Sequence, residues 1–207
     1  MIPLEVLIVF IPAALALNLT PGNDMMFCLG QGLRSGPEAG IAASLGITAG
    51  GFVHTFAAAA GLAALLAEHP AAFDVIRWAG AAYLVFLAIQ ALRSSAMLAE
   101  PAASRISPAR AFRDAMVVNV TNPKIVVFVF AFLPQFVDPE RGSSFLQFVL
   151  LGSILNIGGL LINGAVGAGA GRLRGFLSAR AWLVRSLHYA TATIFLGLAA
   201  RIAFDRR

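Results

Sequence analysis

Long apolar runs dominate this sequence and limit the folds that are open to it. Six runs are long enough, and poor enough in charge, to form helices that cross a lipid bilayer. They are predicted at Leu4–Leu29, Gly40–Leu66, Phe73–Leu92, Phe112–Phe132, Phe145–Ala168 and Val184–Phe204. Apolar residues in these runs are continuous rather than alternating, which indicates helices rather than strands. The sequence therefore predicts an all-α integral membrane protein that forms a single membrane domain over residues 1–207.

The composition supports lipid as the main solvent of this chain. Charged residues make up 12% of the sequence, against about 25% in soluble domains. The net charge of +5 comes mostly from arginines in short connectors, a pattern typical of membrane topology rather than of nucleic-acid binding. A single cysteine, Cys28, excludes a disulfide framework and a thiolate metal site. We expect the lipid bilayer, and no nucleic acid, as a partner.

The first predicted helix is interrupted by the sequence Asn-Leu-Thr-Pro-Gly-Asn-Asp at residues 18–24. Proline lacks an N–H group, so Pro21 leaves the carbonyl of Leu17 without its helical donor, and Gly22 adds backbone freedom. We expect Thr20 to cap a half-helix that starts at Pro21, because proline is favoured at the first helical position.

The fourth predicted helix contains a similar break, where Asn122 and Pro123 offer the same capping arrangement. Each half-helix start presents free N–H groups and the positive end of a dipole, which suit a carboxylate. Each preceding half-helix end presents unpaired carbonyls, which suit an ammonium group. Two such breaks near the membrane midplane predict a site for a zwitterion such as an α-amino acid.

The two breaks belong to an internal repeat of the sequence. Three stretches recur at a nearly constant offset: Asn18-Leu19-Thr20 as Asn119-Val120-Thr121, Pro37-Glu38-Ala39-Gly40 as Pro139-Glu140-Arg141-Gly142, and Gly50 through His54 as Gly152 through Asn156. Because each unit holds three helices, the second must enter the membrane from the opposite side. The sequence predicts six transmembrane helices as two inverted three-helix repeats, about 1–95 and 109–207, with broken first and fourth helices, a known transporter plan.

Asp24 is the one carboxylate close to a break, and Lys124 is the only lysine of the chain. Charge inside a membrane is costly and therefore marks function. We expect Asp24 to bind a substrate amine or to carry a proton, and Lys124 to pair with Asp24 or with a substrate carboxylate. A structural ion pair, or two side chains that reach water, is the alternative.

Neutral polar residues near the breaks leave further alternatives open. Asn18, Asn119 and Asn122 either bind substrate or satisfy carbonyls that the prolines release. His54 either relays protons or packs as a hydrogen-bonded residue. The predicted substrate-binding set is Asn18, Thr20, Pro21, Gly22, Asp24, Asn119, Asn122, Pro123 and Lys124, with Asp24 also as the proton-coupling residue.

Several enzyme chemistries find no support in the sequence. It contains no HExxH, GxSxG or Walker motif, and its acidic residues are too scattered for a multi-carboxylate metal site. We therefore predict no enzyme activity, no cofactor and no metal. Without a nucleotide-binding motif, uphill transport has to use an ion gradient or an exchange partner.

The break motifs, the block Trp78-Ala-Gly-Ala-Ala-Tyr83-Leu and the run Phe132-Leu-Pro-Gln-Phe136 resemble the lysine exporter (LysE/RhtB) family of bacterial amino-acid efflux proteins. The family pattern has Pro-Gly-Pro followed by Asn or Asp, and Asn23 stands here in place of the second proline. The resemblance implies a multi-pass exporter of amino acids or close derivatives in the bacterial inner membrane. It also implies coupling to protons, frequent homo-oligomers, and Pro21, Gly22, Asp24, Asn119, Pro123 and Lys124 as site residues.

Our leading hypothesis is a secondary transporter that exports amino acids by alternating access between the two repeats. No acidic group besides Asp24 is evident near the site, which favours neutral substrates. One alternative is an exporter of a cation or another small solute, although metal export would want more His, Cys or carboxylate ligands. The other alternative is a membrane protein without transport activity, such as a scaffold.

Overall fold

The computed structural model describes residues 2–68, 72–93, 105–172 and 181–204, and the regular structure in these ranges is all helical. The helices are α1 (Leu4–Leu19), α2 (Asn23–Ser35), α3 (Pro37–Glu68), α4 (Ala72–Arg93), α5 (Pro108–Val120), α6 (Pro123–Val127), α7 (Ser144–Ala168) and α8 (Ala181–Phe204). A π-helical turn at Phe128–Phe132 and 3₁₀ turns at Leu133–Phe136 and Pro139–Arg141 connect α6 to α7. The predicted all-α class is confirmed.

Two helical stretches in the described residues, Pro37–Leu62 and Ser144–Ala168, are each long and apolar enough to cross a membrane. The α1–α2 pair reaches that length only with a bend of 49° between its helices. The pair formed by α5 and Pro123–Phe136 does so with a bend of 53°. The described part of the chain thus holds two candidate spans, or up to four if each bent pair is one span. The breaks predicted in the first and fourth helices are confirmed.

The third and sixth predicted spans coincide with α4 and α8, both of which are helical. Their apolar stretches, Trp78–Arg93 and His188–Phe204, are shorter than a full span. Six spans in two inverted repeats therefore stay a prediction. The connectors predicted after α3, α4 and α7 fall largely outside the described residues.

The two breaks begin their second half-helices differently. In the first, α2 begins at Asn23 with Gly22 as its N-cap and without a side-chain cap. The predicted start at Pro21 with a Thr20 cap is wrong, because the Thr20 hydroxyl instead bonds back to the Ala16 carbonyl of its own helix.

The start of α6 follows the prediction. Asn122 is its N-cap, and the side-chain oxygen accepts a hydrogen bond from the Lys124 N–H at 3.0 Å. Pro123 occupies the first helical position, where its missing N–H costs nothing.

Each broken helix packs against an unbroken one: α1 and α2 lie on α7, and α5 lies on α3. The helices α3 and α7 also run against each other at close range. A Cβ atom on either Gly40 or Gly167 would clash with the backbone of the other residue, so both positions have to be glycine. The outer helices α4 and α8 pack together and flank this centre. The two breaks are therefore enclosed by helices.

Candidate functional site

The Asp24 carboxylate joins the two breaks. Asp24 lies in the first turn of α2, where it is partly buried. Asn122 Nδ2 donates to its Oδ1 at 2.9 Å, and Asn119 Nδ2 donates to its Oδ2 at 2.8 Å. Both asparagines belong to the second break. Hydrogen bonds to a charged acceptor are worth about 1.5–3 kcal/mol each, so Asp24 is a strong link between two helices that the sequence places about a hundred residues apart.

Lys124 provides a second link, in the opposite direction. Its Nζ donates to the Leu17 carbonyl at 2.8 Å and to the Thr20 carbonyl at 3.0 Å. The Leu17 carbonyl is the one that Pro21 deprives of a helical donor, so the predicted ammonium site at the end of α1 exists. It is occupied by a side chain of the protein itself. The described contacts include no direct ion pair between Lys124 and Asp24, because both side chains bond to other groups. The alternative partner of Lys124, a substrate carboxylate, stays a prediction.

At the second break the corresponding carbonyl keeps a main-chain donor. Pro123 cannot donate to the Asn119 carbonyl, which instead accepts from the Asn122 N–H at 3.0 Å, and His54 Nε2 lies 3.3 Å from the same oxygen. The Tyr83 hydroxyl donates to the Pro123 carbonyl at 3.2 Å. His54 is thus connected to the site through main-chain atoms, which fits the hydrogen-bonded packing interpretation better than a direct proton relay to Asp24.

The remaining predicted residues lie at the edge of this centre. Asn18 Nδ2 donates to the Leu155 carbonyl of α7 at 3.0 Å, so it binds a helix rather than the second break. The Thr20 side chain reaches the Thr191 hydroxyl of α8 at 3.2 Å. Gly22 lies beside Lys124: a Cβ atom at position 22 would be 3.5 Å from the Lys124 Nζ. Pro21 acts by ending α1.

Two small adjoining cavities lie between the breaks and α7, each of about 20 Å³. They share Asn18, Asp24, Ile125 and Asn163 in their walls. The first is also lined by Leu17, Thr20, Gly22, Met25, Asn122 and Lys124, and the second by Ile47, Thr48, Asn119, Leu155, Asn156 and Gly159. Each has room for about one water molecule. A molecule the size of an amino acid therefore fits only if the surrounding helices move apart.

Asn163 is a polar wall residue outside the predicted substrate-binding set, since an amide in an apolar helix first suggests an interhelical hydrogen bond. It lies on α7, one turn from Gly159 and one turn from Gly167, on the face that meets the broken helices. An amide within an otherwise apolar stretch is the only signal that could have pointed to it. Among the described residues, no group of three or more His, Cys, Asp or Glu side chains is placed to hold a metal ion.

Broken helices that meet around polar groups inside an apolar helical bundle are characteristic of membrane transporters. The family model described as LysE type translocator matches residues 15–206 of this chain. The chain therefore belongs to the LysE family, and the predicted resemblance is confirmed. Transport, not catalysis, is the activity of this family and of its named relatives.

Three relatives illustrate the similarity. An "Uncharacterized membrane protein" of Vibrio cholerae serotype O1 is 37% identical over 72% of this chain and 73% of its own length. A "Homoserine/homoserine lactone efflux protein" of Salmonella typhimurium is 34% identical over 66% of both chains. A "Leucine efflux protein" of an Enterobacter species is 30% identical over 94% of this chain and 93% of its own. No solved structure matches the chain.

Proposed function

We propose that this protein exports amino acids or close derivatives from the bacterial cytoplasm through the inner membrane, in exchange for protons. Family membership and the efflux relatives support the substrate class. The relatives are named for homoserine, its lactone and leucine, none of which carries an acidic or basic side chain. Asp24 is the one carboxylate that lines the two cavities, so a neutral amino acid fits this site better than a basic one.

The observation that carries the proposal is the arrangement of Asp24 and Lys124 between the breaks. The ionised Asp24 carboxylate binds the ammonium group of the substrate, and Lys124 has a third N–H donor left for the substrate carboxylate. A zwitterion binds through the free lone pairs of Asp24 and this third donor, so both of its charges are paired inside the site.

Coupling follows from competition at one carboxylate. A proton that enters from outside neutralises Asp24 and removes its attraction for the ammonium group, so the substrate leaves. Loss of that proton to the cytoplasm restores the charge and prepares the site for the next substrate. Each cycle exchanges a proton for an amino acid, and no further cofactor takes part.

Alternating access between two inverted repeats is the motion we propose for this exchange. The packing supports it, because α1 lies on α7 as α5 lies on α3. Exchanging the first three predicted spans for the last three converts one of these pairs into the other. A two-fold relation of this kind lets the same contacts form on either side of the membrane.

Efflux from proteoliposomes tests the proposal. Purified protein is reconstituted, and vesicles are loaded with one amino acid at a time, including leucine and homoserine, before a pH gradient is applied. We expect gradient-driven efflux of neutral amino acids, and its abolition in Asp24→Asn, which keeps the shape of the side chain and removes its charge.

The matched control is Asp114→Asn, since the Asp114 side chain is exposed and paired with Arg110. The control should transport like the wild type. Gradient-driven efflux that persists in Asp24→Asn would remove Asp24 from the coupling step. Wild-type vesicles that release no amino acid faster than protein-free vesicles would contradict amino-acid export altogether.

A further inference from the structure

We propose that the second cavity is a cation site in which Asn163, together with Asp24, binds a positively charged group. The group is the ammonium of the exported amino acid or an alkali cation such as Na⁺. The role of this site in transport rests on the function proposed above, whereas cation binding itself does not. Asn163 would then be a recognition residue contributed by α7, outside both breaks.

The Asn163 side chain is buried without a partner for its oxygen. It is 5% exposed, and its Oδ1 accepts no hydrogen bond. A buried acceptor without a donor costs about 1–3 kcal/mol. Such groups are rare in folded proteins, and each requires an explanation. Because Asn163 lines both cavities, a ligand in the cavity explains the unpaired oxygen.

The neighbouring side chains offer oxygen acceptors to that ligand, although each asparagine amide also keeps a second N–H. Asn18 Nδ2 donates to the Leu155 carbonyl, and the Thr48 hydroxyl donates to the Ser44 carbonyl. Asn119 and Asn156 donate to Asp24 and Thr55, respectively. Each Asp24 oxygen accepts one of the described hydrogen bonds and keeps a free lone pair. The cavity is lined by a carboxylate and by two buried amide oxygens without a donor, those of Asn119 and Asn163, and this lining favours a positive group.

Lys124 strengthens this argument by exclusion. The carbonyls of Leu17 and Thr20, where the broken helix would otherwise attract an ammonium group, already bind Nζ. An incoming ammonium group therefore needs other acceptors, and Asp24 and Asn163 provide them. The volume of about 20 Å³ suits a cation the size of a water molecule. Oxygen ligands also suit hard cations.

The test uses full-length protein in detergent and simple salts as probes. Its unfolding midpoint is measured with increasing NH₄Cl, NaCl or choline chloride at one constant ionic strength. A ligand that binds only the folded state raises this midpoint as its concentration rises. We expect NH₄⁺ to raise the midpoint above that in choline, because choline is too large for the cavity.

Asn163→Leu keeps a side chain of similar volume and removes the oxygen acceptor. In choline chloride this variant should be as stable as the wild type or more stable, and NH₄⁺ should no longer raise its unfolding midpoint. The same change at Asn23, which is exposed and lines neither cavity, is the matched control and should keep the effect. A rise with Na⁺ but not NH₄⁺ assigns the site to an alkali cation. No rise with either ion, or an equal rise in Asn163→Leu, overturns the proposal.

A transport readout separates this inference from the proposed function. If the site binds the substrate ammonium, Asn163→Leu should raise the KM for efflux about tenfold or more, as expected for a lost interaction of roughly 1.4 kcal/mol. If the wild type transports and Asn163→Leu has the same KM, the export proposal is retained but Asn163 does not bind the substrate. If the wild type does not transport, export is contradicted. The titration with NH₄⁺ and Na⁺ still tests whether the cavity binds a cation.

Discussion

The two breaks share a backbone plan but carry opposite chemistry. The first, around Pro21, supplies acceptors to the second: the carbonyls of Leu17 and Thr20 and the Asp24 carboxylate. The second, around Pro123, supplies the donors: the Lys124 ammonium and the Asn119 and Asn122 amides. Because donors face acceptors, the breaks hold each other closed by four hydrogen bonds of 2.8–3.0 Å.

This difference shows how two similarly bent helix pairs can form one candidate site rather than two. If both breaks carried a carboxylate, they would repel each other inside an apolar bundle. With one acidic and one basic break, the charges are satisfied while the site is empty. The zwitterionic substrate proposed above would find a partner for each of its charges, Asp24 for its ammonium group and the third N–H of Lys124 for its carboxylate. The pattern therefore predicts unequal effects when the two breaks are changed one at a time.

Lys124→Met should have the largest effect. It leaves two buried main-chain carbonyls without a donor, which costs about 1–3 kcal/mol for each carbonyl. Part of this cost is offset, because the folded protein no longer buries an ammonium group. We expect efflux to fall to the level of protein-free vesicles and the free energy of unfolding to drop by about 2–4 kcal/mol. Arg110→Met, at a side chain that is 69% exposed, is the control. Efflux near the wild-type level in Lys124→Met would show that the lysine only fills space.

Asn122→Ala should have an intermediate effect, because it removes a helix cap and one of the two amides on Asp24. A lost cap costs roughly 0.5–2 kcal/mol. We expect a loss of about 1–3 kcal/mol in stability and roughly tenfold slower efflux, measured in the same vesicles. Asn122→Asp retains the cap but places a second carboxylate at Asp24. If it transported normally, the Asp24–Asn122 contact would be irrelevant.

Thr20→Val should have the smallest effect. The hydroxyl bonds to the Ala16 carbonyl of its own helix and to Thr191, and it does not cap α2. We expect a change below about 1 kcal/mol in the free energy of unfolding and efflux within about twofold of the wild type. A loss of stability or efflux as large as that of Asn122→Ala would indicate that Thr20 does cap α2, as the sequence predicted.

The local chemistry of the chain predicted much of this site. Two prolines in apolar runs indicated where the helices break, and the rule that proline frees a carbonyl four residues earlier identified the Leu17 oxygen. The cost of charge in lipid singled out Asp24 and Lys124. These inferences need only neighbouring residues, and the structure places each of these groups at the centre of the site.

What failed required knowledge of distant residues. Lys124 was expected to pair with Asp24 or with a substrate carboxylate, and its bonds to the Leu17 and Thr20 carbonyls were not foreseen, because the nearest acceptor depends on how two half-helices cross. Asn163 sits in a run of apolar residues on α7, and nothing in that run shows that its face meets the breaks. Thr20 was assigned to the wrong helix, because a threonine before Pro-Gly can serve the helix on either side.

A double-mutant cycle between Asp24 and Asn119 tests the link between the breaks most directly. The free energy of unfolding is measured for Asp24→Ala, Asn119→Ala, the double variant and the wild type. If the 2.8 Å hydrogen bond joins the breaks as described, the two changes should be non-additive by about 1–3 kcal/mol. A coupling energy near zero would mean that Asp24 does not hold the second break, and would contradict the account.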